Sequence, residues 1–80
     1  MNIDKLIILY TKKITDEGIK GITIGEYVSH FSSYSRGYIH DRILVLQREG
    51  YLITIKFKSR QLKLSNKSER WLKELEEEEQ

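Results

Sequence analysis

Residues 35–65 read SRGYIHDRILVLQREGYLITIKFKSRQLKLS and place a helix, a stop and a hairpin in immediate succession. Ser35 supplies the side-chain oxygen that caps a helix start. Ile39, Ile43 and Leu46 then recur at spacings of four and three, which puts them on one buried stripe. Arg36, Tyr38, His40, Asp41, Arg42 and Arg48 fall mostly outside that stripe. Gly50 ends the helix, because glycine takes the left-handed position after a helix without strain. The segment from Tyr51 to Phe57 is β-branched and aromatic, with Ile53, Ile55 and Phe57 alternating onto one face. Lys58-Ser59-Arg60 turns the chain, and Leu62 and Leu64 alternate in a second short strand.

Length bounds what this succession belongs to. Eighty residues make one small domain. Such a chain buries only about two-thirds of its unfolded surface, so a partner subunit adds stability. The absence of cysteine excludes a disulfide and a thiolate metal site. No apolar run approaches the ~20 residues of a membrane helix, and no basic start leads into a signal-peptide stretch. The expectation is a cytoplasmic, nucleoid-associated chain with no membrane partner.

The net charge of +2 hides an uneven distribution. Between residues 36 and 67, Arg36, Arg42, Arg48, Lys56, Lys58, Arg60, Lys63 and Lys67 face only Asp41 and Glu49, a local charge of +6. Between residues 69 and 80, Glu69, Glu74 and Glu76 to Glu79 outweigh Arg70 and Lys73, a local charge of −4. The basic half is a candidate polyanion face, and the acidic end points elsewhere.

The flanking segments supply the rest of a core. Ile3, Leu6, Ile7, Tyr10 and Ile14 predict a first helix over 3–17, closed by Gly18. Ile8 and Leu9 widen its apolar stripe. Either the helix is buried on two sides of a monomer, or the extra surface packs on a second subunit. Thr23 and Glu26 have the spacing of a capping box, and the helix that follows, about 24–31, would bury Tyr27, Val28 and Phe31. Ile22 before it is a candidate one- or two-residue strand for the hairpin. Ser32-Ser33-Tyr34 is a short connection, so the second and third helices form a helix-turn-helix. Ser65 caps a last helix carrying Trp71, Leu72 and Leu75. Trp71 fits a core or dimer-interface anchor. Four glutamates at that helix's end oppose the helix dipole, so residues 1–75 form the domain and 76–80 a frayed acidic tail.

The order of helix, short strand, helix, turn, helix, hairpin and helix resembles the winged helix-turn-helix DNA-binding superfamily. At residue level it is similar to the small PadR/MarR-type transcriptional regulators. Ile22-Thr23-Ile24-Gly25-Glu26-Tyr27-Val28 resembles their hydrophobic-Thr pair leading into Glu-Leu-Ala, with Tyr27 and Val28 replacing Leu and Ala. Ser35-Arg36-Gly37-Tyr38-Ile39-His40 resembles the start of the PadR recognition helix. Leu46-Gln47-Arg48-Glu49-Gly50-Tyr51-Leu52 resembles the exit from that helix, and Leu62-Lys63-Leu64-Ser65-Asn66-Lys67-Ser68 the opening of the last one. The wing differs in being short and lacking a tip glycine. The resemblance implies an α+β fold with a three-helix core, a two- to three-stranded antiparallel wing and a C-terminal helix. It also implies a sequence-specific regulator that binds double-stranded DNA, as a homodimer.

The side chains expected at DNA are Ser35, Arg36, Tyr38, His40 and Arg42 on the helix over about 35–49. Lys56, Lys58, Ser59, Arg60, Gln61 and Lys63 on the wing join them. Arginine bridges guanine O6 and N7, while tyrosine and histidine bond phosphates or base edges. Arg36 or His40 is expected to read bases and Arg42 to hold a phosphate. The plainer account is a solvated helix and a hairpin whose lysines discourage edge aggregation. Asp41 accepts from a cytosine amine, holds Arg42, or does neither. Gly37 in the first turn lets the backbone approach a phosphate, or is simply a loose helix start.

Enzyme chemistry finds no support in these residues. His40 and Asp41 diverge by about 100° on a helix. His30 and His40 lack a third ligand at zinc spacing, and no glycine loop cradles a phosphate. The expectation is no enzyme and no cofactor. The alternative function is a winged helix that docks proteins within a transcription or replication assembly.

Overall fold

The computed structural model describes residues 2–56 and 60–78, with the backbone alone for Lys56. Expectations placed on Phe57, Lys58, Ser59 and residues 79–80 lie outside the described residues. Four helices and one antiparallel strand pair follow the predicted order: α1 (Ile3–Asp16), α2 (Ile24–His30), α3 (Arg36–Arg48), β1 (Leu52–Lys56), β2 (Gln61–Leu64) and α4 (Asn66–Glu78). The class is α+β, with a two-stranded sheet.

Local chemistry starts and stops each helix. Asn2 Oδ1 accepts from the Asp4 N–H at the head of α1. Thr23 and Glu26 form the capping box of α2 in both directions. Ser35 Oγ accepts from the Tyr38 N–H at 3.2 Å, and Ser65 Oγ does the same for Ser68. Gly50 follows α3 with φ of +83°, and the Tyr51 N–H behind it returns to the Leu46 carbonyl. The helix α4 runs through Glu78, beyond the point at which fraying was expected. Its acidic side faces a cation there: Lys12 of α1 shares a groove with Glu69 and Glu76, and Asp16 lies 3.0 Å from its ammonium.

One core joins the elements. Ile3, Ile7 and Ile8 of α1, Tyr27 and Phe31, Ile39, Ile43 and Leu46 of α3, and Leu52, Leu62, Leu64 and Leu72 are all buried. Ile8 therefore belongs to this subunit's own core and is not available to a second one. Leu9 is 40% exposed and Trp71 half-buried. Tyr10 packs edge-on against Tyr27 and Phe31 and stacks on His30 at 3.8 Å, fastening α1 to α2.

The sheet departs from simple alternation. Leu52 pairs with Leu64 and Thr54 with Leu62, so these directly opposed residues share the core face. Ile53, opposite Lys63, is turned outward and exposed. The register then shifts between Thr54 and Lys56, leaving Ile55 as the extra residue of a bulge. Ile22 makes the expected contact with the hairpin as a single bridge: its N–H and carbonyl exchange bonds with Leu62 at 2.9 and 2.8 Å. A Cβ on the neighbouring Gly21 would stand 2.7 Å from Ile55 Cδ1 and 2.8 Å from Gln61 Cβ. Only glycine lets this chain segment close on the hairpin.

A polar pair lies buried between α1 and α2. Thr11 Oγ1 donates its single proton to the Ile7 carbonyl at 2.7 Å, so at its 2.7 Å contact with Tyr27 the phenol is the donor. Burial pushes the Tyr27 phenol up to about 12, against about 10 in an unfolded chain. The folded protein thus keeps a proton that the unfolded chain releases. Stability is therefore unaffected by this titration below pH ~10 and falls as pH rises toward ~12, by about 2–3 kcal/mol in all. Replacement of Tyr27 by Phe should cost about 1 kcal/mol at neutral pH. It should also flatten the alkaline limb relative to the native chain. Denaturant melts of both proteins across that pH range make the check.

Candidate nucleic-acid interface

A helix turns about 100° per residue, so the positions around α3 divide into faces. Ile39, Ile43 and Leu46 face the core. On one flank lie Arg36, His40 and Gln47, within about 40° of one another. Gln47 Nε2 donates to Thr54 Oγ1 at 2.9 Å, which identifies this as the hairpin side. Tyr38 and Arg42 occupy the other flank, about 40° apart and roughly 160° and 120° from Arg36 respectively. This is the α1 side, because Arg42 reaches Asp4. Arg36 and Tyr38 are exposed and His40 is half-buried. The four helix residues that the sequence grouped as one front are therefore two pairs.

Arg42 is engaged within the fold. Its Nε donates to Asp4 Oδ1 at 2.8 Å and its Nη2 to Asp4 Oδ2 at 2.6 Å. This bidentate pair ties α3 to the head of α1 and holds the guanidinium pKa above its ordinary value. The carboxylate that holds Arg42 is that of Asp4, 38 residues away, and not the neighbouring Asp41. Lys67 is engaged too: its ammonium donates to the Glu49 carbonyl at the end of α3 and lies 4.3 Å over the Tyr51 ring. Between residues 36 and 67, the exposed basic residues outside these two contacts whose side chains are described are Arg36, Arg48, Arg60 and Lys63.

The hairpin divides as well. Arg60 shares a groove of about 320 Å³ with Leu44 and Gln47 of α3, Thr54 and Leu62 of the strands, and Ile24. Arg60 also adopts φ of +45°, supplying at the tip the left-handed backbone that a glycine would give more readily. Gln61 and Lys63 stand on the other course of the strand, opposite Lys56 and Ile53. Ser35 is exposed, with its oxygen occupied as the helix cap. Lys58 and Ser59 lie outside the described residues, as does the side chain of Lys56.

Two features were missed in the sequence. Leu44 is 45% exposed on the groove side of α3, where helical periodicity alone predicts a surface residue without a role. Tyr34, placed in a polar connection, stacks on Tyr38 with ring centroids 5.7 Å apart and planes 24° from parallel. Their spacing of four was the available signal. Among the described residues no group of three His, Asp or Glu is placed to hold a metal ion, and no helix is long and apolar enough to cross a membrane. Comparison with protein-family models, curated proteins and solved structures gives no match for this chain.

The Asp4–Arg42 pair is directly testable. Asp4→Ala and Arg42→Ala should each lower the melting temperature. The double variant should lose less than the two single losses combined, because either change removes the same pair. Strict additivity in thermal melts would show that the two side chains contribute separately.

Proposed function

We propose that the chain is a winged helix-turn-helix regulator of transcription that reads double-stranded DNA, akin to the small PadR/MarR-type proteins. The observation that carries this is the groove in which the exposed Arg60 at the hairpin tip flanks α3 on the side of Arg36 and His40. In this arrangement the N-terminal half of α3 enters the major groove. Arg36 and His40 meet base edges, and Arg60 meets the backbone or the minor groove. Arg42 supports the helix from behind. The acidic outer side of α4 is repelled by the duplex and sets the orientation of approach. Acting as a homodimer, the protein would read half-sites one turn apart, about 34–36 Å. Leu9 is the exposed apolar residue of α1 open to such contact. A second reading, docking to another protein, is favoured by Leu44 beside Ile24 and Leu62 in the same groove.

Titrations on selected and random duplexes distinguish these. Arg60→Gly removes the charge and suits the left-handed backbone. It should weaken binding about equally on both duplexes and lower the slope of log K against log salt by about 0.9. Arg36→Ala or His40→Ala should lose about tenfold to a hundredfold on the selected site and far less on random DNA. Sedimentation at micromolar concentration should give a dimer, and a strict monomer would remove the paired half-sites. A protein without affinity for any duplex at low salt is not a DNA reader.

A further inference from the structure

We infer that Tyr34 and Tyr38 form a neutral phosphate clip. Their hydroxyls donate to the DNA strand on the α1 side of α3, opposite the strand met by Arg60. This rests on the DNA-binding reading above. A helix in a major groove about 12 Å wide has a sugar-phosphate backbone on either flank. The hairpin flank carries Arg60. On the α1 flank the cation nearest Tyr38 in the helix is Arg42, one turn on, and Asp4 already binds it through both carboxylate oxygens. A phosphate arriving beside Arg42 meets a neutralised pair, which leaves the exposed phenols of Tyr34 and Tyr38 as donors close to it on α3 and its lead-in.

The two tyrosines fit that need. They are 37% and 43% exposed, so both reach solvent. Stacking across the Ser35 cap orients each ring by the other and lowers the entropy lost when the hydroxyls are fixed on a ligand. Each ring turns one face toward its neighbour in an offset stack, and the bases of a duplex stay stacked, which favours use of the phenolic edges over base intercalation. Tyr34 precedes the helix cap and so extends the contact beyond the first turn of α3.

The test compares Tyr34→Phe and Tyr38→Phe with Arg60→Gly on selected and random duplexes over a range of salt. Phenylalanine keeps the stack and removes only the hydroxyl. Each variant should bind both duplexes about tenfold more weakly, with the salt slope unchanged, because a neutral donor releases no counterion. Arg60→Gly should instead flatten the slope. If the Phe variants bind like the native chain while Arg36→Ala and Arg60→Gly do not, the clip is wrong and DNA reading stands. A changed consensus in the Phe variants, or a loss seen only with Ala at these positions, also overturns the clip. It would assign the rings to base edges or to packing. If the native chain binds no duplex, the reading beneath the clip fails instead.

Discussion

Two hydrogen bonds between the backbones of Ile22 and Leu62 tie the hairpin to the helical body. Leu62 stands at the centre of that junction, bonded to Ile22 on one side and paired with Thr54 on the other, with its side chain in the core. The bridge exists because Gly21 carries no Cβ where Ile55 and Gln61 press against the chain. An isolated two-stranded hairpin is marginal in water. Here the third contact and the buried leucine face give it a fixed place. That place sets Arg60 beside α3, so the disposition of basic groups follows from a backbone contact and not from charge.

Electrostatics act within the limits that packing sets. The basic half of the chain offers less free positive charge than its sequence suggests, because Asp4 neutralises Arg42 and the exposed Lys67 is tied to the Glu49 carbonyl. Arg42 fixes the orientation of α3 against α1, and Lys67 closes the end of α3 at Glu49, just before Gly50 turns the chain. On the opposite side Lys12 offsets the glutamates of α4. Without such a cation the run of like charges at a helix C-terminus is unfavourable. The helix α3 is thus held on both flanks, by Asp4 and by Thr54, and its exposed face is presented by a rigid element.

The buried polar pair of Thr11 and Tyr27 serves the same end by another route. A phenol buried in the core must find a partner or lose stability. Thr11 supplies one because its own proton is directed to Ile7. The pair fixes the register of α1 against α2, and α2 in turn delivers the turn that opens α3.

What the sequence determined alone was set by contacts within four residues of one another. The caps at Thr23, Ser35 and Ser65, the stop at Gly50 and the core stripe of Ile39, Ile43 and Leu46 follow from helical geometry, which repeats the same way in any chain. The element order and the hairpin after α3 followed for that reason. Tertiary structure decided the rest. Periodicity cannot show that Asp4 and not Asp41 holds Arg42, since the two partners lie 38 residues apart. Alternation cannot show that a bulge at Ile55 interrupts the strand, or that Leu52 and not Ile53 faces the core, because β1 carries apolar residues on both courses. The division of Arg36, Tyr38, His40 and Arg42 into two flanks was implicit in their spacing. Which flank meets the hairpin and which meets α1 was not, because that depends on the direction from which distant elements pack.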